Sequence, residues 1–151
     1  MKAKFDNSMI LWHDLVDESL NKTGLQFSDS VHQYLVLTLQ HFTKKTELAA
    51  VVVATAFLQN VNIETTGNAI LLRDVGDQCL LLSGLFPDRA KRKRVSETYF
   101  SDLGKHAYYV LSFSNTPWQS SHSLFLQLFD NFSDLVTVLR AMRQLDRRLL
   151  H

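Results

Sequence analysis

Apolar side chains recur at intervals of three and four along most of the chain, the repeat of one helical face rather than of a strand. Between residues 8 and 21, Trp12, Leu15, Val16 and Leu20 fall on one side and Asp14, Asp17, Glu18 and Asn21 on the other. Asn7 or Ser8 supplies a cap, and Lys22-Thr23-Gly24 a stop. Ser28 caps a second helix, with Phe27 before it as a hydrophobic staple and Val31, Tyr34, Leu35, Thr38, Leu39 and Phe42 as its face. Val36 and Leu37 widen that apolar arc, so this helix is expected to be enclosed on several sides.

The stretch TELAAVVVATAFLQNV, from Thr46 to Val61, carries two signals. Its three consecutive valines suit a buried strand, while its alanines and its Thr-Glu opening suit a buried helix. Its length, and the lack of a convincing partner strand, favour a helix over 46–62. From Asn68 to Ser83 the period is clean, with Ala69, Leu72, Val75, Cys79, Leu80 and Leu82 set against Arg73, Asp74, Asp77 and Gln78. Gly84 and Pro87 stop that helix. A short charged helix is expected over 88–95. Ser96 then caps a long one carrying Tyr99, Leu103, Ala107, Val110 and Leu111 as far as Phe113. SNTPWQSS is a loop, and 121–150 keeps a helical register through DNFSD, with any break falling at Asn131 or Ser133.

Two segments echo one another. RDVGDQC and SDLGKHA each place a glycine inside a helix, where it costs about 1 kcal/mol relative to alanine. Close backbone approach is the simplest return on that cost. Gly76 with Cys79, and Gly104 with Ala107, each form a shallow notch, and the pattern predicts that the two helices cross closely there.

Composition sharpens this picture. The chain has 151 residues, with 46% hydrophobic and 21% charged, enough for one domain with a real core. Five Gly and two Pro are too few for a fold of many tight turns. The lone Cys79 excludes an internal disulfide and a multi-cysteine zinc site, and fits a reducing cytosol. No export signal is read at the N-terminus, and the apolar run Leu48–Leu58 is too short to span a bilayer.

Charge is concentrated although the net value is only +1. Arg89, Lys91, Arg92, Lys93 and Arg94 crowd one connector, and Arg140, Arg143, Arg147 and Arg148 lie along the last helix. Such cations neutralise phosphates in nucleic-acid binding. They also solvate a connector, complement a helix dipole, or precede a phosphorylatable Ser96. Among the six histidines His13 shares a helical face with an acid four residues on, Asp17. His32, His41, His106, His122 and His151 look scattered, so no metal site is expected. Cys79 lies on an apolar face and is expected to be inert, and nucleophile elbows and phosphate-binding glycine loops are missing. Tyr108, Tyr109, Phe113 and Trp118, with Phe125 and Phe129, exceed what one helix face needs for packing and form a candidate partner surface.

The block RDVGDQCLLLSGLFPDRAKRKRVSETYFSDLGKHAYYVLS, residues 73–112, resembles one in small uncharacterised bacterial proteins of helical appearance. The likeness implies a bacterial cytosolic setting and carries over no functional residue. Taken together, the expectation is a single all-α domain over 1–151, a compact bundle of six to eight helices without a cofactor. Its expected work is non-enzymatic protein–protein interaction, with self-association as one form. The alternative is a nucleic-acid-associated regulator using 89–94 and 140–148.

Overall fold

The structure, a computed structural model, describes residues 7–42, 69–87 and 98–145. Six helices and no strands occur among the described residues. We label them α1 (Asn7–Thr23), α2 (Asp29–Phe42), α3 (Ala69–Gly84), α4 (Tyr99–Leu111), α5 (His122–Asp130) and α6 (Phe132–Leu145). The helix expected over 46–62, the basic connector and Ser96 lie outside the described residues. So do Arg147 and Arg148.

The first two helices form a hairpin whose turn is written in its residues. Gly24 takes a left-handed φ of 74°, and its N–H closes on the Leu20 carbonyl at 2.9 Å, the C-terminal stop that glycine supplies without steric penalty. At the other end Ser28 Oγ accepts the Val31 N–H at 3.2 Å, a true N-cap, and donates to Gln127 Oε1 of α5 at 2.6 Å. The hairpin is thus tied at both ends of its loop and to the rest of the bundle.

α3 lies at the centre, packed most extensively on α4 and also on α6; α1 packs on α6 and α2. A single apolar cluster runs through all six helices, from Trp12 and Val16 through Leu35, Leu80 and Phe100 to Phe125 and Leu139. The α3–α4 crossing is close, and glycine is the reason. A Cβ placed on Gly76 would stand 2.5 Å from the ring of Tyr108, and one on Gly104 would stand 2.7 Å from Cβ of Cys79. The two notches therefore meet in part: Gly104 faces Cys79 of the other notch, while Gly76 takes the Tyr108 ring. Each glycine takes a side chain from the opposite helix, and Ala107 is wholly buried beside them.

Two details depart from the pattern read along the chain, and a third follows it. The buried face of α4 is Phe100, Gly104, Ala107, Tyr108 and Leu111, rotated by one position from the face expected around Tyr99, Leu103 and Val110, which are only half-buried. The rotation follows from Gly104 and Gly76, which draw the helices together along the side that carries Tyr108. Gly84 keeps φ out of the left-handed region, and what it allows is contact with Leu139 of α6, 2.5 Å from where its Cβ would be. Asn131 is where the C-terminal register breaks: its N–H and its side-chain amide both bond the Gln127 carbonyl at 2.8 Å, ending α5 before α6 begins.

Candidate functional site

The four aromatics read as a partner surface are divided by α4. Tyr108 is wholly buried, because successive positions on a helix point about 100° apart and position 108 lies on the glycine side. Trp118, in the loop after α4, turns inward: its ring lies 5.8 Å from that of Phe125, with the Arg73 guanidinium 4.8 Å above it. Tyr108 therefore has no surface to offer a partner, and Trp118 is half-buried.

Tyr109 and Phe113 remain outside, 45% and 63% exposed. They are one helical turn apart, and their rings meet edge to face at 5.4 Å. Tyr109 also packs on Phe129 of α5 at 4.9 Å, and the Lys105 ammonium lies 5.3 Å from the Phe129 ring. Leu126, 44% exposed, stands one turn before Phe129 on the same helix. Two helices thus present a joined face of three rings whose positions are fixed by contact with one another.

Behind this face is a polar network that the pattern placed on the solvent side of α3. Asp77 is buried, 7% exposed, and its Oδ1 accepts from Tyr34 and Tyr108 hydroxyls at 2.6 Å each. Arg73, one turn earlier, donates through Nε to the Tyr34 hydroxyl at 3.1 Å and stands 4.0 Å from Asp77 Oδ2. Burial pushes the Asp77 carboxyl up to about 6, against the pull of the two phenols and of Arg73. Burial, followed by the neighbouring carboxylate, holds both phenols well above their ordinary value, so they are neutral donors. The carboxylate and the two phenols of this network are buried, with Phe125 6.2 Å from Tyr108 and Phe132 5.9 Å from it, while Arg73 is partly exposed at its edge. The arrangement ties three helices together around a buried carboxyl and offers no open carboxylate for acid–base work. Cys79, fully buried, has its thiol raised by the same desolvation.

The histidines are less scattered than their sequence positions imply. The α1–α2 hairpin brings His32 to the His13–Asp17 pair, where His32 Nε2 is 2.7 Å from Asp17 Oδ1 and His13 Nδ1 is 3.2 Å from Asp17 Oδ2. The signal was in the loop. A five-residue connection between the two helices sets Asp17, less than two turns before it, and His13 one turn earlier, beside His32, one turn after it.

Of the cationic candidates, Arg140 donates through Nε to the Ser83 carbonyl at 3.3 Å, so it serves the C-terminal end of α3. Arg143 is half-buried one turn further along α6. Arg89, Lys91, Arg92, Lys93, Arg94 and Arg147 lie outside the described residues, and nothing places them beside Arg140.

The fold defines a small all-helical protein with an exposed aromatic face and, separately, a buried carboxylate held by two phenols. No protein-family model, curated protein or solved structure matches the chain. Among the described residues no helix is long and apolar enough to cross a membrane.

Proposed function

We propose that this chain is a non-enzymatic protein–protein interaction domain that docks another polypeptide on the face formed by Tyr109, Phe113 and Phe129. The observation that carries the reading is the exposure of Phe113 and Tyr109 as one contacting pair, 63% and 45%, beside half-buried Phe129. Large aromatics with two rotatable side-chain bonds supply contact area at low entropic cost, and they are enriched among residues that dominate interface energies. Rings already braced by each other lose little further freedom on binding. Lys105 at the edge adds a cation of the kind found in a polar rim. The occupant is a partner protein that presents an apolar side-chain cluster, and a second copy of this chain is one such partner.

The test is site-specific photocrosslinking in the cell of origin. A photoreactive phenylalanine analogue at position 113 is expected to capture one discrete polypeptide, identified by mass. The same analogue at exposed Gln144 of α6 should not capture it, and Tyr109→Ser should remove the adduct. An adduct of twice the chain mass identifies self-association. Equal, diffuse labelling from positions 113 and 144 contradicts the proposal.

A further inference from the structure

The geometry points to a divalent transition-metal site at His13, Asp17 and His32, on the side of the bundle formed by α1 and α2. Its evidence is independent of the aromatic face. Two imidazole nitrogens and one carboxylate, offered from two helices, lie within 4.8 Å of one another. In a tetrahedral zinc site, bonds of about 2.0–2.2 Å place neighbouring donors about 3.4 Å apart. His13 Nδ1 is 3.2 Å from Asp17 Oδ2, close to that value, and His32 Nε2 is 2.7 Å from the other oxygen, Oδ1, a separation that a small side-chain adjustment opens. The His13 and Asp17 side chains are about half exposed, which leaves them that freedom.

The scaffold holds the donors in place without the ion. His13 and Asp17 are four apart on α1 and share a face. His32 is fixed in the first turn of α2, where its N–H bonds the Ser28 carbonyl at 2.9 Å, and Ser28 is itself tied to α5. The two imidazole rings tilt toward each other with centroids 4.7 Å apart. The three groups border an open cavity of about 550 Å³ that is also lined by Asp29 and Gln33. Three protein ligands facing such a space leave coordination positions for water or an oxygen-bearing ligand, unlike closed four-ligand structural sites. The mixed nitrogen and oxygen set suits zinc, nickel or copper and disfavours magnesium and calcium, which take all-oxygen sites.

Zinc titration of the tag-free full chain tests this, read by calorimetry and by thermal melting. One ion per chain is expected, with a melting temperature that rises as zinc is added, because the ion bridges two helices in the folded state. His13→Ala and His32→Ala are each expected to weaken zinc by at least about 10- to 100-fold and to cancel the thermal shift. His106→Ala, at an exposed position on α4, should leave both unchanged. Melts in chelator show that each variant folds, and His32→Gln stands in for His32→Ala if the latter does not. Failure to take up zinc, or an unchanged affinity in either histidine variant, overturns the site; the triad is then a hydrogen-bonded clip between α1 and α2.

Discussion

The Tyr108 hydroxyl donates to Asp77 Oδ1 at 2.6 Å, and the Tyr108 ring fills the gap that Gly76 leaves one residue before Asp77. One side chain from α4 thus seals a glycine notch with its ring and satisfies a buried carboxylate with its oxygen. The two contacts act together. The notch admits the ring, the ring excludes water from the carboxylate, and Tyr34 from α2 supplies the second donor. Three helices meet at this one group.

The buried carboxyl sets a pH dependence of stability. Its value rises from 3.8 to about 6 on folding, so between those limits the folded chain binds more protons than the unfolded one. Stability contributed by this group is therefore complete below the lower value and is lost as pH climbs through about 6. A rise of that size corresponds to roughly 3 kcal/mol when the carboxylate is ionised. Asp77→Asn, neutral at every pH and able to accept from both phenols, is expected to gain about 1 to 3 kcal/mol over the natural chain at pH 8. The two should converge near pH 4. Urea unfolding across that range checks it, and an Asn variant that is less stable at pH 8 would contradict it.

Alanine at either crossing glycine should destabilise, although alanine is the better helix former. The gain from propensity is about 1 kcal/mol. Against it, a Cβ at position 76 meets three atoms of a fully buried ring held by Phe125 and Phe132, and one at 104 meets Cys79 Cβ and the Phe132 ring. Overpacking of this kind costs about 1 to 3 kcal/mol and more when neighbours cannot move. Gly76→Ala and Gly104→Ala are expected to lower the melting temperature. A rise in either would show that the helices can separate without loss.

Much of this architecture was legible from the spacing of apolar residues. The hairpin, the Ser28 cap and the two glycine-bearing helices all follow from local rules. What the pattern could not show is which of two adjacent aromatics turns inward, since Tyr108 and Tyr109 are equally apolar and only the partner helix separates them. Position 108 does continue a Gly104, Tyr108, Leu111 stripe, a signal weaker than the alternative face it competes with. Asp77 was misplaced for a similar reason. A carboxylate in a helix reads as solvated unless its donors are known, and these come from positions 43 residues before it and 31 after it. His32 reads as separate from His13 because spacing along the chain does not show what the α1–α2 turn brings together.

Exposure separates the two tyrosines in a second measurement. Tyr109→Ser and Phe113→Ser remove surface rings, and each is expected to change stability by no more than about 0.5 kcal/mol while abolishing partner capture. Tyr108→Ser removes a buried ring and a donor to Asp77, and should cost about 3 kcal/mol or more. Thermal melts of the three variants check the order. A large loss from Phe113→Ser would mean that its ring is structural.

Cys79 reports on the integrity of the same crossing. Its side chain is fully buried against the Gly104 backbone, and desolvation raises its thiol above the ordinary range, so little thiolate is present and none is accessible. A disulfide reagent that attacks thiolates should label the native chain only through opening of the α3–α4 interface. In Gly104→Ala, where the added methyl presses on Cys79 Cβ, that opening becomes easier and labelling should accelerate at a fixed pH and temperature. In Asp77→Asn, which relieves the buried charge two residues away from Cys79 on the same helix, it should slow. Parallel labelling of the natural chain and the two variants distinguishes this from a locally exposed thiol, which would react fast and equally in all three.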